Sequence, residues 1–133
     1  MKIFKDTTEI DTSYSLKNGT RFRVNCHYER GFQGLVARTI PQDIPTLEEI
    51  GLGEVAEDLC NLQNGLVLFT GPTGSGKSTS LAVMIQHINS QRAAHIVTLE
   101  DPIEFLFPKG EGMVRQRQFG QDFHSFTEAL KRV

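Results

Sequence analysis

The sequence predicts an α/β fold in which an antiparallel β segment precedes a strand–helix–strand unit. Residues 9–40 alternate apolar and polar side chains around turn signals, which indicates β strands. Residues 66–69 form an apolar run that leads into a glycine-rich loop, and residues 81–88 then place apolar side chains at helical spacing. A second apolar run follows at residues 94–99. A strand, a helix and a strand in this order are expected to form a right-handed unit with parallel strands.

The first predicted domain, residues 1–41, is a partial β domain with three antiparallel strands. Asn18-Gly19 is a strong hairpin turn between the first two strands, and the third strand covers residues 35–40. We expect the second strand to have one half-buried face and one basic face, because its side chains alternate through Arg21, Phe22, Arg23, Val24, Asn25 and Cys26. So small a sheet is marginally stable alone, so we expect it to pack on another element or to lack strands that precede it.

Residues 42–64 are predicted to form a linker followed by a short helix. Thr46 and Glu49 have the spacing of a capping box, in which each side chain binds the backbone N–H of the other residue. The helix is expected to end at Asn64-Gly65 and to bury the face formed by Val55, Ala56, Leu59 and Leu62. The remaining elements belong to a third predicted region, residues 65–133.

The glycine-rich loop is the strongest functional motif in the chain. Its residues match the pattern G-x-x-x-x-G-K-[ST] of a P-loop, and they are Gly71, Pro72, Thr73, Gly74, Ser75, Gly76, Lys77, Ser78 and Thr79. Glycines let successive backbone N–H groups converge on phosphate oxygens, and the following helix adds the positive end of its dipole. We expect Lys77 to reach the β- and γ-phosphates and Ser78 to bind Mg²⁺ through its hydroxyl. The alternative is a glycine-rich turn that happens to carry a lysine, which the flanking strand and helix patterns disfavour.

An acidic pair, Glu100-Asp101, follows the second apolar run. Ligands of such sheets bind at the carboxyl ends of the strands, so we expect this pair on the same edge as Lys77. One carboxylate could orient Mg²⁺ through water while the other polarises the attacking water. The alternative is a solvated acidic pair that caps Pro102. Glu104 is equally compatible with the site and with the surface.

Four arginines of the N-terminal strands, Arg21, Arg23, Arg30 and Arg38, form a second candidate set. A P-loop site often requires an arginine from another subunit to neutralise the transferring phosphoryl group. A solvated strand face explains the same residues equally well, and it is the favoured interpretation for Arg115 and Arg117. The four histidines share no ligand spacing, so we expect none of them to bind a metal ion.

Two further elements are predicted near the end of the chain. Residues 102–105 and 113–117 are expected to pair as a short hairpin around Pro108-Lys109-Gly110. Ser125 is the expected N-cap of a helix, with Glu128 completing a capping box.

Composition excludes several classes of protein. The net charge of −2 gives no general attraction to nucleic acid, so no nucleic-acid partner is expected. No apolar run approaches ~18 residues, so no membrane insertion is expected. Cys26 and Cys60 lack the spacing of zinc ligands or of a disulfide framework, and we expect two reduced thiols in a cytosolic protein.

Residues 71–79 and 96–105 together resemble the motifs of the type II/IV secretion ATPases, and most closely those of the PilT group of pilus retraction motors. That group carries G-P-T-G-S-G-K-S-T and an "Asp box" of the form I-T-[IL]-E-D-P-[IV]-E, and residues 116–130 and 21–49 are similar to it as well. Three residues depart from the pattern of the group, namely Gln118, Phe119 and Phe123.

The resemblance implies a RecA-like ATPase core behind a PAS-like domain, in a ring-shaped homo-hexamer that hydrolyses ATP to retract type IV pili. It further implies a cytoplasmic protein at the periphery of the inner membrane, with an inner-membrane pilus platform protein as its partner. It assigns Glu100, Asp101 and Glu104 to the Asp box, and directs Arg23 and Arg38 toward bound nucleotide. The Walker B and His box segments of the family would lie beyond Val133, so we expect a C-terminally truncated core.

Three alternatives to a retraction motor stay open. The chain could be a nucleotide-binding module without turnover, since it lacks a Walker B segment. It could also derive from a secretion or pilus-assembly ATPase of the GspE/PilB type. A small phosphotransferase is the least favoured, because no segment resembles a lid over an acceptor substrate.

Overall fold

The structure is a computed structural model that describes residues 8–41 and 43–133. Residues 1–7 of the predicted β domain and Gln42 of the predicted linker lie outside this part of the chain. Within it, the strands form a three-stranded sheet of order β1-β2-β3 and a two-stranded sheet of order β4-β5. The elements are β1 Glu9–Ser15, β2 Arg21–Glu29, β3 Phe32–Ile40, α1 Gly53–Cys60, α2 Lys77–Gln91, β4 His95–Glu100, β5 Met113–Gln118 and α3 Phe126–Leu130.

The N-terminal sheet is the predicted antiparallel meander. Asn18 accepts a hydrogen bond from Thr20 N at 3.0 Å through its side-chain oxygen, and Gly19 has a φ of 91°, so the turn has the expected chemistry. Val24 is the one buried residue of β2, whereas the residues around it are partly buried on both faces, so the burial alternates less than predicted. Arg23 lies on the face opposite Val24, directly across from Arg38 of β3. Two like charges therefore lie side by side on the basic face.

The segment before α1 contains the predicted capping box. Thr46 N donates to Glu49 Oε2 at 2.7 Å, and Glu49 N donates to Thr46 Oγ1 at 3.2 Å. The prediction for the helix itself was wrong in two respects. α1 ends at Cys60 rather than at Asn64, and its buried side chains are Ala56 and Cys60 instead of the larger face expected from Val55, Leu59 and Leu62, of which Val55 is 72% exposed.

The core explains why the small face of α1 is the buried one. Ala56 and Cys60 pack with Leu47 against Val83 and Met84 of α2, and short side chains allow the two helices to approach closely. The Cys60 thiol donates to the carbonyl oxygen of Met84 at 3.7 Å. Burial raises the pKa of the Cys60 thiol, with a smaller opposing effect of Arg92 and a smaller supporting effect of Glu57.

The predicted strand at residues 66–69 is not formed. Leu66 is 82% exposed and Leu68 is 73% exposed, and this segment is irregular. A strand requires a neighbour to accept and donate its backbone hydrogen bonds, and no described residue pairs with this run. The parallel pairing expected for β4 is instead made with β5, from His95 opposite Met113 to Glu100 opposite Gln118.

This parallel pairing also shows that the predicted hairpin between residues 102–105 and 113–117 was wrong. Parallel strands need a crossover of about a dozen residues, and residues 101–112, here called the acidic connection, supply it without a helix. Asn89 of α2 holds its far end, because Asn89 O accepts from Glu111 N at 2.8 Å and Asn89 Nδ2 donates to Pro108 O at 3.0 Å.

The last helix begins as predicted. Ser125 Oγ accepts a hydrogen bond from Glu128 N, whereas the Glu128 carboxylate bonds Lys131 rather than closing the capping box. Two of the departures from the PilT pattern, Phe119 and Phe123, pack together with Phe126. The ring centroids of Phe119 and Phe123 are 5.7 Å apart, and those of Phe123 and Phe126 are 4.9 Å apart.

The α/β class predicted from the sequence is confirmed. In the described part of the chain, no helix is both long and apolar enough to cross a bilayer.

Candidate functional site

The P-loop takes its shape from glycines with positive φ. Gly71, Gly74 and Gly76 have φ values of 151°, 82° and 87°, in the region that L-residues with a side chain rarely adopt. Gly76 is also the N-cap of α2 and offers no side chain to satisfy the first backbone N–H groups of that helix. Unpaired N–H groups at the positive end of a helix dipole suit a phosphate.

Lys77 is folded across the loop that precedes it. Its Nζ atom donates to the carbonyl oxygens of Gly71 at 2.9 Å and Pro72 at 2.8 Å. The ammonium group is thus held at the rim of the loop by two neutral acceptors. A phosphate oxygen carries a full charge and is a stronger acceptor for the same group. The arrangement fits an anionic ligand.

The predicted metal residue and the acidic residues line one cleft. This cleft has a volume of about 440 Å³, and Ser78, Glu100, Asp101 and Glu104 all contribute to it. Its apolar lining comes from α2, β4 and the acidic connection. In the described part of the chain, no group of three or more His, Cys, Asp and Glu side chains is placed to hold a metal ion. Mg²⁺ commonly uses one or two protein ligands together with phosphates and water, and Ser78 beside this acidic set fits that pattern.

Glu100 is fixed within the cleft by two donors. Thr98 Oγ1 donates to Glu100 Oε1 at 2.6 Å, and Gln116 Nε2 donates to the same oxygen at 3.0 Å. The second carboxylate oxygen, Oε2, accepts no hydrogen bond from the described residues. Asp101, next along the chain, is exposed.

Gln116, which hydrogen-bonds Glu100 from the neighbouring strand, was not singled out by the sequence analysis. The available signal was the alternation of polar residues in the two strands, with Thr98 and Glu100 in one and Gln116 and Gln118 in the other. Cross-strand pairs of the parallel register put these four side chains on one face.

Arg23 and Arg38 reach a second cleft beside the first. This cleft, of about 320 Å³, is lined by both arginines together with Thr79 of the P-loop helix and Glu104 of the acidic connection. Arg23 Nη1 lies 3.8 Å from Glu104 Oε1, and both side chains are about one-third exposed. An ion pair this exposed contributes about 0.2–1 kcal/mol, so it orients Arg23 more than it stabilises the fold.

The two basic residues of β5, for which the sequence analysis favoured a solvated strand face, differ in the structure. Arg117 donates to the carbonyl oxygen of Asp122 at 3.1 Å, and its guanidinium lies 5.5 Å from the centroid of the Phe123 ring. Arg115 is exposed.

A glycine-shaped loop at the start of a helix, with a lysine, a serine and an acidic strand end around one cleft, defines a P-loop nucleotide-binding protein. Comparison with known proteins identifies the family to which the chain belongs. The chain belongs to the Type II/IV secretion system protein family, whose sequence model matches residues 15–132.

Individual relatives agree with this assignment. The chain is 45% identical over 130 residues to the type IV pilus retraction ATPase PilT of Pseudomonas aeruginosa, covering 98% of this chain and 38% of that protein. It is 43% identical over 129 residues to a twitching motility protein of Neisseria gonorrhoeae, covering 97% and 34% of the two chains. A crystal structure of the pilus retraction motor PilT with bound ADP superposes with a TM-score of 0.94 at 40% identity, covering 98% and 38%.

These comparisons confirm the resemblance to PilT-like retraction ATPases. The chain spans less than two fifths of the length of each of these relatives.

Proposed function

We propose that the chain is the ATP-binding portion of a hexameric motor ATPase that powers type IV pilus retraction, and hence twitching motility, by hydrolysing ATP. The observation that carries this proposal is the TM-score of 0.94 to a retraction motor that binds ADP, over 98% of this chain. The P-loop geometry supports it independently, since its glycines, Lys77 and the start of α2 suit a phosphate chain.

In this proposal the backbone N–H groups of residues 73–76 would donate to the phosphate oxygens, whereas Pro72 has no N–H to offer. Lys77 exchanges its two carbonyl acceptors for β- and γ-phosphate oxygens, and Thr79 helps to hold the nucleotide. Ser78 would bind Mg²⁺ through its hydroxyl, and the metal ion would neutralise charge on the β- and γ-phosphates.

The acidic residues take distinct roles. Glu100 is held through Oε1, which leaves Oε2 to polarise the attacking water. Asp101 is exposed in the same cleft and would orient Mg²⁺ through water. Glu104 lines both clefts and pairs with Arg23, so it would orient Arg23 toward bound nucleotide.

Arg23 and Arg38 would neutralise charge that develops on the transferring phosphoryl group. Their support is the cleft that they share with Thr79, the third residue of α2. We further propose that residues 1–41 form part of a PAS-like domain, that residues 42–64 link it to a RecA-like core beginning at residue 65, and that six copies form a ring. The partner would be the platform protein of the pilus at the inner membrane, reached from the cytoplasm.

Lys77→Ala in the native protein tests the proposal. Removing this donor is expected to lower the rate of ATP hydrolysis about 100-fold or more, measured as steady-state phosphate release. Lys17→Ala is the matched control, since Lys17 is an exposed lysine in the β1–β2 turn, and it should leave the rate unchanged. Turnover retained in Lys77→Ala would reject the proposal.

A second candidate is a nucleotide-binding module without turnover, for which the P-loop glycines and Lys77 would suffice on their own. Titration with fluorescent ADP and phosphate release, measured on the same preparation of residues 1–133, separate the two candidates. Binding without release supports the module. A motor of the GspE/PilB type is distinguished in cells, where loss of an assembly motor removes pili and loss of a retraction motor leaves pili that do not retract.

A further inference from the structure

One face of the β4–β5 sheet carries four polar side chains in two cross-strand pairs. Thr98 lies opposite Gln116 and Glu100 lies opposite Gln118 in the parallel register. Strands alternate their side chains between faces, so all four point toward the acidic connection, residues 101–112. Three of the four are partly buried and Gln118 is 5% exposed, so their polar groups must find partners within the protein.

Gln116 uses its whole amide group there. Its Nε2 donates to Glu100 Oε1 at 3.0 Å and to the carbonyl oxygen of Phe105 at 2.7 Å, while its Oε1 accepts from Phe107 N at 3.4 Å. Two acceptors face the nitrogen and one donor faces the oxygen, which fixes the orientation of the amide. Gln118 extends the pattern by accepting from Ile103 N at 3.2 Å.

The side chains of these two glutamines thus bind the acidic connection in the way that the backbone of a neighbouring strand would. Ile103 and Phe107 donate their backbone N–H groups to these glutamine side chains, and the Phe105 carbonyl oxygen accepts from one of them, where a backbone ladder would otherwise supply the partners. β5 can do this because its own backbone is paired with β4 on one edge. Both glutamines lie near Glu100, but among the described residues only Gln116 of the two donates a side-chain hydrogen bond to the Glu100 carboxylate.

We propose that Gln116 is a positioning residue for Glu100: it holds Oε1 of that carboxylate and the neighbouring backbone in one arrangement, so that Oε2 faces the reacting water. This inference rests on the proposed ATP hydrolysis. Glutamine is required for a chemical reason. Glutamate could accept from Phe107 but could not donate, whereas methionine, of similar size, could do neither.

Kinetics of the native protein test the proposal. Gln116→Met is expected to lower kcat about tenfold while KM for ATP and affinity for ADP stay unchanged, because the P-loop is not touched. Thr98→Val removes the other donor to Glu100 and should lower kcat by a smaller factor. Gln118→Met removes only a loop contact and should lower kcat least. Gln91→Met, at the exposed end of α2, is the control without effect.

If Gln116→Met lowers kcat no more than Gln118→Met, the proposal is overturned, because Gln116 then serves only the loop. An equal rise in KM would overturn it as well. Should the methionine variant fail to fold, Gln116→Glu replaces it. This variant retains the acceptor for Phe107 but loses the donor to both Glu100 and Phe105, and its carboxylate would lie beside that of Glu100. A fall in kcat with unchanged exchange of the Phe107 amide supports the proposal, and an unchanged kcat overturns it.

Hydrogen exchange separates this inference from the proposed function. Gln116→Met should speed exchange of the Phe107 amide and Gln118→Met that of the Ile103 amide, while Thr98→Val changes neither. If the wild-type protein shows no ATP turnover, the proposed function is rejected. Hydrogen exchange alone would then test whether Gln116 binds the Phe107 amide. Unchanged exchange of Phe107 in Gln116→Met would overturn the inference.

Discussion

The P-loop and the acidic connection meet at the same cleft but obtain their shapes in opposite ways. Residues 71–79 are shaped from within, by glycines with positive φ and by Lys77 bonding carbonyls five and six residues away. Residues 101–112 have no regular hydrogen bonding of their own. They are held from outside, by Gln116 and Gln118 of β5 and by Asn89 of α2.

This difference predicts which substitutions the P-loop and the acidic connection each tolerate. A locally shaped loop is damaged by changes to its own backbone freedom, whereas an externally held loop is damaged at residues distant in sequence. The following predictions test this distinction, from the largest expected effect to the smallest.

Gly110→Ala should be the most damaging to stability. A Cβ atom at residue 110 would clash with the backbone carbonyl oxygen of Asn89 and would lie 2.7 Å from its Nδ2, so the connection could not remain on α2. We expect the free energy of unfolding to fall by about 2–3 kcal/mol, measured by urea denaturation. Lys109→Ala, at the exposed neighbouring residue, is the control. Equal stability of the two variants would show that Asn89 does not hold the connection.

Gly76→Ala should affect both stability and ligand binding. The φ of 87° costs a residue with a side chain about 1–2 kcal/mol, although no atom would obstruct the new Cβ within 4 Å. The binding conformation of the P-loop requires this φ, so the same free energy should reduce ADP binding. Affinity for ADP, measured by fluorescence titration, should fall about tenfold. Gly31→Ala is closely matched, with a φ of 83° and open space, and should lose similar stability without any change in affinity.

Thr46→Ala tests a second locally encoded motif. The substitution removes the acceptor of the Glu49 N–H, and we expect a loss of about 1 kcal/mol in the free energy of unfolding. Glu48→Ala, in the same exposed turn, should change stability much less. The same loss in both variants would mean that the capping box contributes nothing.

The buried thiol of Cys60 should give the smallest effect, visible only at alkaline pH. Its pKa is raised by burial, so the folded protein holds the thiol proton more tightly than the unfolded chain does. Stability is therefore complete below 9.0, the ordinary pKa, and falls as pH rises above that value. Cys60→Ala should remove this part of the pH dependence, measured as Tm on either side of that pH. An unchanged dependence would contradict the assignment to Cys60.

Features with partners close in sequence were predictable. The P-loop, the hairpin at Asn18-Gly19 and the caps at Thr46 and Ser125 each depend on residues within a few positions of one another. Their physical causes can be recognised from spacing alone, and the structure contains each of them. The roles of the P-loop residues and of Glu100, Asp101, Glu104, Arg23 and Arg38 in nucleotide chemistry stay predictions.

Features that depend on distant partners were not predictable. The strand expected at residues 66–69 needs a neighbour, and the buried face of α1 was decided by the fit against α2. Residues 102–105 lie beside β5, but they do not form the predicted hairpin with residues 113–117. Side-chain amides rather than a backbone ladder join them, and no local pattern distinguishes the two arrangements.

β5 thus serves two neighbours at once, with its backbone on one and its alternate side chains on the other. One residue inserted directly after Met113 would shift the rest of β5 to the opposite face of the sheet. Arg115 and Arg117 would then turn toward Glu100. An arginine there has five donors and no acceptor, so the Ile103 and Phe107 N–H groups would lose their partners. The length of β5 is therefore more strictly constrained than the identity of most of its residues.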